Sequence, residues 1–155
     1  MKILLLGSEG QLGKELKRHL MVFGSVSAFS KSTLDIKNYK KIHEMVLNIN
    51  PDVMINAAAY TKVDKAEVDI DEAYAVNSEA VANLSKIAKA EDIWLIHFST
   101  DHVFDGIKKT PYFETDIPNP INVYGKSKLA GEMEIIKSDC KYFVFRTSWV
   151  IGKDG

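Results

Sequence analysis

The stretch Ile3-Leu4-Leu5-Leu6-Gly7-Ser8-Glu9-Gly10-Gln11-Leu12-Gly13 decides the fold. Ile3 to Leu6 is a short, continuous apolar run, as expected of a strand buried on both faces. It leads directly into the pattern G-x-x-G-x-x-G, and Gln11 opens a helical pattern that runs to about Phe23. Each glycine has a physical reason. Gly7 permits a tight turn, Gly10 lets the backbone approach a pyrophosphate, and Gly13 lets helix and strand pack closely. The helix N-terminus then presents free N–H groups and a partial positive charge to an anion. A βα turn that is glycine-rich without a ligand is the alternative. The strand–turn–helix setting at the start of the chain argues against it.

Working outward, strand and helix signals alternate. Val26 to Phe29 reads as a second strand. Asn38 to Asn50 has helical spacing, with Ile42, Met45, Val46 and Ile49 on one face, and Pro51 stops it. Asp52 to Ala57 is a third strand. A long helix is expected from Asp71 to about Ala90, with Ala73, Val76, Ala80, Leu84 and Ile87 as its buried stripe. Trp94 to Phe98 is a strand, residues 101–122 form a long loop, 123–137 a helix, and Tyr142 to Phe145 a last strand. This order predicts an α/β fold with a doubly wound, mostly parallel sheet, an NAD(P)-binding Rossmann domain over residues 1–155.

Bulk properties agree with one soluble domain. The chain has 155 residues, 46% hydrophobic and 26% charged, enough for a single buried core. A net charge of −1 gives no field toward nucleic acid or an anionic membrane. The opening apolar run is too short for a signal peptide, and no stretch is long enough to span a bilayer. The lone Cys140 excludes an internal disulfide and fits a cytoplasmic setting, reading simply as a small residue before a buried strand.

Three groups carry the candidate chemistry. Ser30-Lys31 follows the second strand, where many NAD-selective domains place an acid on the adenine ribose. A hydroxyl and a cation there suit a 2′-phosphate, which favours NADP(H) over NAD(H), although Lys31 also reads as a solvated loop lysine. Tyr124 and Lys128 lie four apart on one helical face. An ammonium beside the phenol stabilises phenolate, and lowering a tyrosine from about 10 to about 7 takes roughly 4 kcal/mol of differential stabilisation. The lysine can also hold a nicotinamide ribose and so place the hydride. An isolated Y-x-x-x-K is usually a surface pair. Here Ser99-Thr100-Asp101 ends a strand where ligands meet such sheets, so the Thr100 hydroxyl can bond a substrate carbonyl that Tyr124 protonates.

These residues resemble the dTDP-4-dehydrorhamnose reductases, extended members of the short-chain dehydrogenase/reductase superfamily. The resemblance rests on 7–13, Asn56-Ala57-Ala58-Ala59-Tyr60-Thr61, Val63-Asp64-Lys65-Ala66-Glu67, Phe98-Ser99-Thr100-Asp101, Val103-Phe104, Pro120 to Lys128 with Leu129-Ala130-Gly131-Glu132, and Arg146-Thr147-Ser148-Trp149-Val150. It implies that Gly10, Gln11 and Leu12 touch the cofactor pyrophosphate. Asp35 and Ile36 then line the adenine, and Ala59, Tyr60 and Thr61 lie beside the ribose and nicotinamide. Thr100, Asp101 and Trp149 contact substrate, Tyr124 donates the proton and Lys128 partners it. Asn77 matches a helix asparagine that supports a proton relay, or is an exposed helix asparagine. The implied reaction is hydride transfer from NADPH or NADH to the 4-keto group of a dTDP-linked deoxysugar, giving dTDP-L-rhamnose.

His102 departs from the family's usual tyrosine and reads as a loop residue filling that place, not a metal ligand. Asp64 and Glu67 read as structural or ligand-contacting. The family continues beyond the Arg-Thr-Ser-Trp segment into a substrate domain holding its magnesium-linked acids. No metal site is therefore expected here, and an uncovered apolar sheet edge is expected to support a homodimer or other association. Two other functions fit the same residues. One is a non-catalytic nucleotide-binding subunit resembling the methionine adenosyltransferase β subunit, which the intact Thr100, Tyr124 and Lys128 argue against. The other is a sugar-nucleotide epimerase or dehydratase, although a dehydratase usually carries an acid where His102 stands.

Overall fold

The computed structural model describes residues 1–152. The end of the expected 1–155 domain, residues 153–155, lies outside the described residues. In chain order the elements begin with β1 (Lys2–Leu6), α1 (Gln11–Leu20), β2 (Ser25–Phe29), α2 (Tyr39–Ile49), β3 (Val53–Asn56) and the short α3 (Val63–Ala66). Next come α4 (Ile70–Tyr74), a π-helical turn (Ala75–Glu79), α5 (Ala80–Ala90) and β4 (Trp94–Thr100). A 3-10 turn (Asp101–Val103), α6 (Val123–Ser138) and β5 (Lys141–Thr147) are the last elements among the described residues.

The five strands form one parallel sheet in the order β2-β1-β3-β4-β5, a Rossmann-like α/β fold. From β1 the chain goes to β2 on one side and, after α2, to β3 on the other. The switch point therefore lies between β1 and β3, where open parallel sheets bind ligands.

Leu4, Leu6, Met54 and Leu95 project to one face and join α2 and α5 through Ile42, Val46, Leu84 and Ile87, with Ile135 of α6. Ile3, Leu5 and Ile55 project to the other face, against Leu16 and Leu20 of α1. The sheet is thus doubly wound, but α1 covers only the β2-β1-β3 side of its face. Toward β5, Trp94, Phe143 and Phe145 remain 41%, 53% and 48% exposed. Trp94 stacks on Phe143 and Phe98 on Phe145, with ring centroids 5.2 and 5.7 Å apart. The apolar surface left uncovered is therefore a face of β4 and β5, formed by side chains, where the sequence led us to expect a bare strand edge.

The element bounds differ from expectation in instructive places. α1 stops at Leu20, and α2 ends at Ile49, capped by Asn50 in the left-handed region (φ 48°) just before Pro51. The expected 71–90 helix is interrupted at 75–79 by the π turn, which holds the buried Asn77. β4 and β5 run through to the Thr100–Thr147 pair, longer than expected. The 101–122 loop is tied down by Asp105, which accepts from Tyr112 Oη at 2.8 Å and Asn119 Nδ2 at 3.0 Å. Cys140 is buried directly before β5, as expected. Among the described residues no helix is long and apolar enough to cross a membrane.

Candidate functional site

A cleft of about 480 Å³ opens at the C-terminal ends of β1, β3 and β4. Its floor is the glycine loop. Gly7 adopts φ +81°, which favours glycine, and its N–H donates to Phe29 O at 2.9 Å, joining the loop to the end of β2. A Cβ on Gly13 would lie 2.0 Å from Gly7 O, so α1 reaches the loop only because residue 13 has none. A Cβ on Gly10 would meet Gly7 O at 3.4 Å, an ordinary contact. Gly10 is therefore dispensable to the protein's own packing, and its openness faces the cleft. α1 begins with no side-chain cap and no acid in its first turn. Its first N–H groups have no intrahelical acceptor, which leaves them for an anion.

Most residues expected to hold a dinucleotide meet here. Gly7, Gly10, Gln11, Leu12, Lys31, Asp35, Ile36, Ala59, Tyr60, Thr61, Tyr124 and Lys128 all line the cleft. Gly13 sits behind it, buried in α1. Asp35 accepts from Lys37 N at 2.9 Å, which shapes the turn carrying Ile36. Ser30 is not on the cleft wall; its hydroxyl pairs with Ser32 at 2.8 Å and closes the turn after β2. Lys31 is on the wall, and its Nζ lies 3.7 Å from Glu72. Glu72 went unnoticed in the sequence, yet it lines the cleft and binds Lys37 Nζ at 2.8 Å. Its hydrogen bond with Lys37 holds its carboxyl below the usual range.

The segment 59–61 is positioned by Asn77. Asn77 Oδ1 accepts Tyr60 N–H at 2.8 Å, and its Nδ2 donates to Tyr60 O at 3.0 Å and Ser127 Oγ at 3.0 Å. Ser127 in turn donates to Tyr124 O at 2.8 Å. Asn77 is 1% exposed, so the exposed-asparagine reading is excluded. Tyr60 Oη donates to Asp69 at 2.9 Å.

Tyr124 and Lys128 occupy the buried face of α6. The helix starts cleanly because Asn122 Oδ1 accepts Gly125 N–H at 2.7 Å and Glu67 accepts Val123 N–H at 2.8 Å. Glu67 thus has a structural role, while Asp64 lies in the first turn of α3. Thr100 is buried at the end of β4 and bonds Asp101 Oδ1 at 3.1 Å. Burial pushes the Tyr124 phenol above its ordinary value, against the opposing effect of its hydrogen bond with Thr100. The expected lowering of that phenol by Lys128 is not found. The lysine instead points at β4, with Nζ 2.6 Å from Phe98 O and 3.2 Å from His97 Nε2. Burial lowers its own amine from 10.5 to about 8.

Ser99 Oγ, on the cleft wall, is buried with no hydrogen-bond partner among the described residues. The uncapped N–H groups of α1, on the floor of the same cleft, fit an anionic ligand such as a pyrophosphate. Asp101 and Trp149 are not on the cleft wall, and Trp149 is 91% exposed at φ +47°. His102 packs edge-on against Tyr124, ring centroids 5.4 Å apart, and pairs with Asn122 at 3.0 Å. No cluster of acids, histidines or cysteines that could hold a metal occurs among the described residues.

Comparison with known proteins agrees with this geometry. The family model described as RmlD substrate binding domain matches residues 1–155. The dTDP-4-dehydrorhamnose reductase of Burkholderia thailandensis is 44% identical over 155 residues, covering all of this chain and 52% of that relative. That of Escherichia coli K12 is 43% identical over 159 residues, covering all of this chain and 53% of that relative. The crystal structure of dTDP-4-dehydrorhamnose reductase from Bacillus anthracis in complex with NADP superposes with a TM-score of 0.96 at 40% identity, covering 99% of this chain and 55% of that one. The chain spans about half the length of the relatives it matches. It belongs to the dTDP-4-dehydrorhamnose reductase (RmlD) family.

Proposed function

We propose that the cleft binds NADP(H) and that this chain carries the hydride-transfer half of a reductase acting on the 4-keto group of dTDP-4-dehydro-L-rhamnose. The observation that carries the reading is that Tyr124, hydrogen-bonded to Thr100 at the end of β4, shares one cleft with Lys128 and with an uncapped glycine loop. The dinucleotide supplies the hydride. The loop backbone at Gly10, Gln11 and Leu12 binds its pyrophosphate, Asp35 and Ile36 border the adenine, and Ala59 to Thr61 border the ribose and nicotinamide.

Lys31 supports the choice of NADP(H), with Glu72 moderating its charge. Thr100 bonds the substrate carbonyl and Tyr124 delivers its proton to the resulting alkoxide oxygen. A phenol kept protonated by burial suits a proton donor in the reducing direction. Asp101 and Trp149 are the proposed sugar-nucleotide contacts. The bare aromatic face at β5 is the proposed site of self-association.

The test follows NADPH and NADH oxidation with the dTDP-4-dehydro sugar, using the chain and Tyr124→Phe. The reading expects turnover that the Phe variant loses. Unchanged turnover in the variant contradicts the mechanism. Dinucleotide binding without any turnover would instead point to a piece of a longer reductase that needs the rest of the sugar-binding site.

A further inference from the structure

His97 lies fully buried on β4, on the face that α6 covers, and the proposed chemistry gives it no task. Its Nδ1 is 3.1 Å from Asn56 Nδ2, and its Nε2 is 3.2 Å from Lys128 Nζ. Asn56 Oδ1 sits 3.1 Å from the backbone nitrogen of Ala58. A backbone N–H only donates, so the oxygen of the Asn56 amide must face Ala58 and its NH₂ must face His97. An NH₂ also only donates, so His97 Nδ1 must be bare. A neutral imidazole with a bare Nδ1 carries its proton on Nε2. That proton points at Lys128.

An Nε2–H facing Nζ makes a hydrogen bond with a free amine, which has a lone pair, and opposes an ammonium, which has none. The other contact of Nζ, Phe98 O, accepts from either form. We propose that His97 is a positioning residue that makes the place of Lys128 depend on its charge: the free amine rests against His97 on β4, and the ammonium leaves His97 for the cleft.

Burial, with the Lys128 charge beside it, keeps His97 well below the usual histidine range, so the imidazole does not itself titrate near neutrality. The Lys128 amine, at about 8, crosses between its two forms just above neutrality. Glu132, one turn further along α6, favours the ammonium, but Arg146 of β5 holds that carboxylate at 2.6 Å. The Tyr124 phenol, protonated at these pH values, lines the same cleft, and Asp101 lies near it behind the wall. The destination of the ammonium rests on the proposed dinucleotide, whose ribose hydroxyls would accept from it. Binding at a pH above the crossover then draws one proton from the buffer onto Nζ.

Nuclear magnetic resonance of the isotopically labelled chain tests this without any dinucleotide. We expect His97 as the Nε2–H tautomer with a bare Nδ1, unchanged from about pH 6 to about pH 9, and Lys128 Cε titrating near 8. In His97→Gln the side-chain carbonyl can turn to accept from the ammonium, so the Lys128 titration should move up by about one pH unit or more. An Nδ1–H tautomer, a His97 that titrates in this range, or a Lys128 titration unmoved in the Gln variant would overturn the proposal. Should the Gln variant not fold, the tautomer in the unaltered chain decides alone. Calorimetry of NADPH binding near pH 8.5, in buffers of different ionisation enthalpy, should show uptake of most of one proton. Binding without uptake counts against His97. Absence of binding counts against the dinucleotide reading, and the tautomer then still decides the role of His97.

Discussion

The side-chain amide of Asn77 holds the backbone of Tyr60 from both sides, accepting its N–H at 2.8 Å and donating to its carbonyl at 3.0 Å. One residue on the π turn thereby fixes a wall of the cleft, and through Ser127 it ties that wall to the helix carrying Tyr124. Asn77→Ala leaves buried polar groups on both partners unpaired, at about 1–3 kcal/mol for each one stranded. The expected outcome is a lower midpoint in urea unfolding and weaker NADPH binding in the fraction still folded. Asn77→Ala with an unaltered midpoint would show that the clamp contributes nothing.

The glycine loop separates structural need from ligand need. A Cβ at residue 13 collides with Gly7 O, whereas one at residue 10 finds room. Gly13→Ala should therefore lose about 1–3 kcal/mol or more of stability. Gly10→Ala should stay within about 1 kcal/mol of the parent chain. Thermal melts of the two variants compare them directly, and equal losses would mean that the loop backbone is not as rigid as this arrangement requires.

Lys128 should make the chain more stable in mild alkali. Its amine is lowered from 10.5 in the unfolded chain to about 8 in the folded one. Between those values the unfolded chain binds more protons, so unfolding free energy rises with pH. Below about pH 8 the penalty is complete, on the order of 3 kcal/mol. The parent chain should gain stability relative to Lys128→Met between about pH 7.5 and about pH 9.5, measured by urea unfolding. Lys37 and Lys65, whose amines are raised above 10.5, lose their contributions only at higher pH and leave this window clear. A gap between parent and variant that stays constant with pH contradicts the assignment.

Self-association should go through the aromatic face. Phe143 lies between Trp94 and Phe145, with centroids 5.2 and 6.3 Å away, and is half exposed. Sedimentation equilibrium should find dimers or larger species at high concentration, and Phe143→Lys should shift them to monomer with unchanged circular dichroism. A parent chain that stays monomeric throughout rules this surface out.

What could be read from the sequence was local. The glycine loop, the strand–helix alternation and the Tyr124–Lys128 spacing each depend on neighbours within a turn or two, and all reappear in the fold. The features that escaped depend on distant partners. His97 looks like a polar interruption of an apolar strand, because Asn56 and Lys128 are 41 and 31 positions away. Glu72 resembles a solvated helix acid until Lys37 and Lys31 are brought beside it. α3, with the polar sequence Val63-Asp64-Lys65-Ala66, is too short to show a helical period. The Tyr124 phenol was expected to be lowered because spacing places Lys128 on its face, but spacing does not reveal that Phe98 O takes the amine.

The central claim is that the cleft at the ends of β1, β3 and β4 is a dinucleotide site, and calorimetric titration of the chain with NADPH tests it most directly. The account predicts saturable binding of one NADPH per chain, weakened about tenfold or more by Gly10→Ala, whose methyl would enter the pyrophosphate cradle while the fold stays intact. A folded chain that binds no NADPH, or one whose affinity is untouched by Gly10→Ala, would contradict it.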